Sequence, residues 1–219
     1  MTLIDRDAAF WNKIAPKYAA GRIADMAGYE RSVDRTRGLL TSSDVVLEIG
    51  CGTGTTALAI APGIRRIVAT DLSEAMIAIA REKAQAVPGI DAHFAVGTAE
   101  TSPEVDGGYD AVLAFNLLHL VHDRAATLRA IRHRLKAGGL LITKTPALAE
   151  MNLLIRLAIP LMRAIGKAPF VSTFSASDLE AELAVAGYAV LAAERHGSKR
   201  WDPRTFIIAR KAEDGTDQP

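Results

Sequence analysis

The chain has little of several things that mark particular protein classes. It has one cysteine, Cys51, in 219 residues, so no internal disulfide can form and a disulfide-stapled secreted fold is excluded. Neither charge is in excess. The 26 Lys and Arg face 25 Asp and Glu, for a formal net charge of +1, whereas non-specific nucleic-acid binding needs a concentrated basic surface. No nucleic-acid partner is therefore expected. No uncharged apolar run reaches the roughly 18–20 residues needed to cross a bilayer; the nearest, Met151 to Ile165, is interrupted by Arg156, Pro160 and Arg163. The first ten residues carry Asp5, Arg6 and Asp7 with no apolar run behind them, unlike a secretory signal. The histidines and acids lack metal-ligand spacing, so no metal is expected. These absences predict a soluble, cytoplasmic protein. Its apolar fraction of 49% is enough to bury a core of ordinary size.

What is present alternates. Residues 6–40 read as helix, with Phe10, Trp11, Ile14 and Tyr18 on one face and breaks at Gly21 and Gly28; a second helix carries Val33, Leu39 and Leu40. From Val45 the pattern changes to short β-branched apolar runs, at 45–49, 66–70, 92–96, 109–115 and 140–144, which read as strands. Helical stretches separate most of them: about 54–61, from Ser73 as N-cap to Val87, and from His122 to Lys136 before Gly138-Gly139. A late helix at 177–186 and strands at about 188–194 and 204–209 follow. Strands that alternate with helices over short connections make βαβ units. Continuous apolar strands imply a sheet covered on both faces. The expected fold is α/β, a Rossmann-like doubly wound sheet, mostly parallel with an antiparallel terminal strand. It forms one domain over 1–210, with a helical cap at 1–42, a lid insertion at 149–170 and a disordered polar tail at 211–219.

The stretch Val46-Leu47-Glu48-Ile49-Gly50-Cys51-Gly52-Thr53-Gly54 leaves the first strand and enters a helix. Glycines at alternate positions let the backbone turn tightly and let a ligand approach without meeting a Cβ. Free N–H groups at the start of the helix attract an anion. Asp71, seventeen residues past Gly54, ends the second strand beside the same crevice, where its carboxylate can accept hydrogen bonds from a ribose. These residues specify an adenosine-type ligand with an anionic group. A dinucleotide is compatible through Gly52, Gly54 and Ala57. S-adenosylmethionine is favoured by the G-x-G-x-G spacing at 50, 52 and 54 and by Glu48, an acid on a buried strand that needs a polar partner, either a ligand ammonium or a loop N–H.

The segment 48–54 resembles the first motif of class I S-adenosylmethionine-dependent methyltransferases. Ala69-Thr70-Asp71-Leu72-Ser73 with Met76, Tyr109 to His119, and Arg134-Leu135-Lys136-Ala137-Gly138-Gly139 resemble later motifs of that family in the same order. Phe10 to Tyr18 and the region from Phe174 to Tyr188 resemble its small-molecule branch, which includes quinone-biosynthesis enzymes. The resemblance implies that Gly50, Gly52 and Gly54 line the methionine and ribose portion of the cofactor. It also implies that Asp71 holds the ribose hydroxyls, Leu72 and Met76 pack on the adenine, Asn116 lies near the methionine and Tyr18 closes over it. Cys51, mid-loop in the same binding stretch, reads as a small buried filler. The family usually has an acid directly after a glycine past strand three. Here the residues are Gly97-Thr98-Ala99-Glu100, so Thr98 or Glu100 is expected at the adenine edge.

His119 and Tyr18 are candidate catalytic groups, since histidine can take a proton near neutral pH and His119 follows strand four on the acceptor side. His122 is expected to be a cap or surface group, and Lys144 a solvated lysine. In residues 151–170 an apolar stripe (Leu153, Leu154, Leu157, Leu161) runs beside Arg156, Arg163 and Lys167. It reads as a lid or, alternatively, as a contact with a lipophilic acceptor or an anionic membrane surface. The expected function is methyl transfer to a small, lipophilic acceptor. The rivals are a nicotinamide-dependent oxidoreductase and a non-catalytic cofactor-binding module. No Asn/Asp-Pro-Pro-aromatic tetrad follows strand four, where Asn116 precedes Leu117, Leu118 and His119, so an amino-methylating nucleic-acid enzyme is disfavoured.

Overall fold

Strand β1 (Val45–Ile49) is buried from Val46 onward, and its neighbours explain why. It pairs in parallel with β2 (Arg66–Asp71) on one side, Ile49 opposite Thr70, and with β4 (Tyr109–Phe115) on the other, Glu48 opposite Leu113. The computed structural model describes residues 2–151, 162, 168–199 and 202–213. With β3 (Ala92–Val96), β5 (Leu135–Pro146), β6 (Tyr188–Arg195) and β7 (Arg204–Lys211), the sheet has seven strands in the order β3-β2-β1-β4-β5-β7-β6. β7 runs antiparallel to both β5 and β6; the other pairings are parallel. The single antiparallel strand thus lies inside the terminal hairpin, between β5 and β6, and not at the sheet's edge.

Helices cover both faces because the strands alternate apolar residues between two cores. On one face Val33 of α2 (Met26–Arg37), Ala57 and Ile60 of α3 (Thr55–Ile60) and Ile77 and Ala80 of α4 (Glu74–Gln85) pack on Val46, Leu113, Ile142 and Phe206. On the other, Leu128 and Ile131 of α5 (Arg124–Arg134) and Leu179 and Leu183 of α6 (Ala176–Val185) pack on Leu47, Val112, Leu141 and Ile207. Each of these large side chains contributes on the order of 1.5–3 kcal/mol through burial. Helix α1 (Leu3–Ala20) lies against α4. There Asn12 Oδ1 accepts from the Ser73 hydroxyl at 2.6 Å and from the Ala75 N–H at 3.1 Å, and fixes α1 over the end of β2.

Several boundaries differ from those expected. Gly28 does not break a helix: Asp25 caps α2 by accepting from the Gly28 N–H at 3.0 Å. Leu39 and Leu40 lie past the end of α2 but still pack against the core. α5 ends at Arg134, since Leu135 is already drawn into β5 opposite Tyr109. Lys211 is not part of a tail; it pairs with Tyr188 at the end of β7. The rest of the expected tail from residue 214, and most of the lid or membrane segment at 151–170, lie outside the described residues. Among the described residues no helix is long and apolar enough to cross a membrane.

Candidate functional site

The carboxyl ends of β1, β2, β4 and β5 open onto one cleft of about 470 Å³. It lies where the strand order reverses between β1 and β4, the place where open α/β sheets bind ligands. The glycine loop forms one end. Gly50, Gly52 and Gly54 have φ of 71°, 53° and 75°, the left-handed region that disfavours any side chain. They serve different ends. A Cβ on Gly50 would stand 2.8 Å from Leu117 Cδ1, and one on Gly54 would stand 2.9 Å from both Ala80 Cβ and Phe94 Cε1. Those two glycines are required by packing. At Gly52 the nearest atom to a Cβ would be Tyr18 Cε1, at 3.7 Å across the cleft, so this is the glycine that keeps the ligand side clear.

Asp71 sits beside the loop. Its two oxygens accept from the Gly52 N–H and the Ser73 N–H, both at 2.9 Å. Burial raises its pKa above the usual carboxylate range, tempered by the N–H groups of Ser73, Gly52 and Leu72. Glu48, 2% exposed, follows the same alternation as Val46 and faces α3. Its Oε2 has no hydrogen-bond partner. Burial pushes its pKa up to about 8 against the pull of the Ala57 N–H, with Asp71 adding to the rise. From α4, Lys83 Nζ reaches the loop and donates to the Thr53 hydroxyl at 2.8 Å. Leu72, Met76, Cys51, Tyr18 and Asn116 complete this end. Met76 and Cys51 are also core residues, and burial raises the Cys51 thiol well above its usual range. Asn116 is the one non-glycine residue with positive φ among those described, at 53°, and its N–H donates to the Lys144 carbonyl at 2.6 Å.

Three expected site residues are not brought to the cleft. Thr98 donates its hydroxyl to Glu100 at 2.7 Å, and its own N–H is taken by the Thr101 hydroxyl at 2.9 Å. Glu100 accepts from Thr127 at 3.4 Å and borders a separate hollow with Glu104 and Arg134. Glu100 turns toward α5, and the loop after β3 folds back on itself, with Ser102 N–H bonded to the Thr98 carbonyl at 2.9 Å. His119 is held 3.0 Å from the Thr145 hydroxyl and does not line the cleft. Its burial lowers its pKa to about 4, so it is neutral at pH 7. His122 binds Asp7 at 2.8 Å and stacks on Phe170 at 3.9 Å, bridging α1 to the far wall.

The opposite end of the cleft is built around Lys144, which the sequence places near the crevice but which was expected to be solvated. Lys144 is not solvated: it is 6% exposed, lines the cleft, and donates to the Ser32 hydroxyl at 2.7 Å and the Gly28 carbonyl at 3.1 Å. Ser32 Oγ lies 3.0 Å from His196 Nδ1, and His196 Nε2 lies 2.8 Å from Glu194, which Arg35 holds. Burial lowers the Lys144 pKa. The alternation of β5, with Ile142 inward on the α2 face, was a signal that Lys144 points the same way.

A model of the methyltransferase domain matches residues 46–139, the span that holds the glycine loop, Asp71, Asn116 and the turn before β5. An uncharacterized methyltransferase, YcgJ, of Bacillus subtilis (strain 168) is 32% identical over 94 residues, 43% of this chain and 37% of that protein. The ubiquinone biosynthesis O-methyltransferase of Pseudomonas aeruginosa (strain UCBPP-PA14) is 32% identical over 114 residues, 52% of this chain and 48% of that one. The chain thus spans between about a third and a half of the curated relatives it matches. The fold of the whole chain is shared more widely. Magnesium protoporphyrin IX methyltransferase of Synechocystis PCC 6803, solved with S-adenosylmethionine bound, superposes with a TM-score of 0.71 at 17% identity, covering 97% of this chain and 98% of that one. The match over residues 46–139 does not favour the nicotinamide reading of the Gly52, Gly54, Ala57 frame.

Proposed function

We propose that the chain is an S-adenosylmethionine-dependent methyltransferase acting on a small, lipophilic acceptor, in the cytoplasm. The observation that carries the reading is the pairing of an open glycine loop with two buried acids. Gly52 leaves the loop bare toward the cleft, Asp71 stands at its rim, and the Glu48 Oε2 lacks a partner. Those acceptors fit a ligand with ribose hydroxyls and an ammonium group. The loop at 50–54, Asp71 and Glu48 would hold it, with Leu72 and Met76 on the adenine, Asn116 near the methionine portion and Tyr18 over the opening.

When bound, S-adenosylmethionine supplies a methyl group already activated by its sulfonium. The chain's residues then have to bind, orient and exclude water. Orientation by itself can lower the barrier by roughly 7–11 kcal/mol. Tyr18, with its ring on α1 above Gly52, and the apolar wall of Leu117, Leu120 and Val121 keep solvent from the reacting pair. His119 is outside the cleft and takes no part in this scheme.

Calorimetric titration with S-adenosylhomocysteine, and separately with NADH, tests the reading. The first binds and the second does not. Asp71→Ala weakens the first by about 10- to 100-fold, the value of hydrogen bonds to a charged acceptor. Binding of NADH alone, or of neither ligand, overturns it.

A further inference from the structure

Lys144 is the feature of the cleft that cofactor binding leaves unexplained. We propose that Lys144 receives the acidic oxygen of the methyl acceptor, so that the acceptor is an apolar molecule bearing a carboxylate or an ionised phenol. The proposal rests on the methyltransferase reading and names the substrate class of the same site.

The amine is buried, and its two partners, the Gly28 carbonyl and the Ser32 hydroxyl, are both neutral. Among the described residues no carboxylate stands within ion-pairing distance of it. Asp202 and Asp25 favour its charge from beyond contact distance, and Arg204 and Arg31 oppose it. Arg204 of β7 is paired with Asp202 at 2.7 Å and lies 3.7 Å from Asp25 at the start of α2. Arg31 of α2 is exposed and donates to the His196 carbonyl and to Ser198. Glu194 of β6 and His196 just past it bond each other, and His196 reaches Lys144 only through Ser32. A buried ammonium without a counter-charge is costly, so structural lysines in that setting carry an acid beside them. Lys144 lines the cleft, where an incoming anion would take that place. The adjoining wall suits an apolar body: Phe115 is Lys144's neighbour in register across β4 and β5, and Leu117, Leu120, Val121 and Phe170 line the same cleft. The two ends are distinct. Two interstrand steps and two residues along the strand separate Glu48 from Lys144 by roughly 12 Å.

The test is calorimetry on protein saturated with S-adenosylhomocysteine, using 1-naphthoate, 2,4-dinitrophenolate and the neutral 1-naphthamide as probes. At least one anion binds about tenfold tighter than the amide, as expected for a charge-assisted contact; which of the two does so distinguishes carboxylate from phenol. Lys144→Met abolishes the preference while S-adenosylhomocysteine still binds, and Lys144→Arg keeps it. In the wild type the preference fades at alkaline pH, once the amine loses its proton. Equal or absent binding of anions and amide, or a preference that survives Lys144→Met, overturns the proposal. If Lys144→Met does not fold, the wild-type anion-to-amide ratio and its pH dependence decide alone. Failure of S-adenosylhomocysteine to bind the wild type would instead sink the methyltransferase reading.

Discussion

The two ends of the cleft are built from different materials. The end at β1 and β2 is mostly backbone: three glycines at positive φ, N–H groups turned onto Asp71, and one buried acid without a full set of partners. The end at β5 is side chain: Lys144, Ser32 and His196, brought from β5, α2 and the exit of β6. The first can hold a ligand common to a whole family of folds, because backbone geometry is indifferent to side-chain drift. The second, on the proposal above, sets acceptor specificity, because one substitution alters it without disturbing the loop.

The largest effect expected from breaking this contrast is at Glu48. Its folded-state pKa of about 8 lies above the ordinary value near 4.5, so the folded chain holds a proton that the unfolded chain has released. Stability of the ligand-free protein therefore falls as pH rises from about 4.5 to 8, by on the order of 4 kcal/mol. Glu48→Gln removes that slope in urea unfolding at a series of pH values; a slope that persists in the variant would assign it elsewhere.

Gly54→Ala comes next. It forces a side chain into a left-handed residue against Ala80 and Phe94, and unfolding should show a loss of about 3 kcal/mol. Gly52→Ala separates binding from packing. Its Cβ has room, so the stability cost is about 1–2 kcal/mol from φ alone, while affinity for S-adenosylhomocysteine drops at least as far as in Asp71→Ala. A Gly52→Ala protein that binds normally would show that the ligand does not approach the loop there. The smallest effect belongs to the other end. Lys144→Met should leave S-adenosylhomocysteine affinity within about twofold, since surface-separated sites act almost independently; a large loss would merge the two ends into one site.

Much of this was legible along the chain. The strand sequence, the loop at 50–54, Asp71 at the end of β2 and the Ser73 cap are all local patterns, with periods and turn residues that a short window contains. The expected errors were local signals that distant groups overrode. Gly28 looked like a break until Asp25 capped it, and the residues before Gly138-Gly139 looked helical until Leu135 paired with Tyr109. Thr98 and Glu100 satisfied a motif position but found partners in Thr101 and Thr127 instead of a place in the cleft.

By itself the sequence determined the α/β order, the turn that needs glycine and the acids beside it, since each depends on residues a few positions apart. Only the tertiary structure decided that Lys144 is buried, that Ser32 and His196 stand behind it, and that His119 is turned away. The first two depend on residues 112 and 164 positions apart meeting where α2 packs on the sheet, and the third on Thr145, 26 positions beyond His119; nothing in a local window carries those contacts.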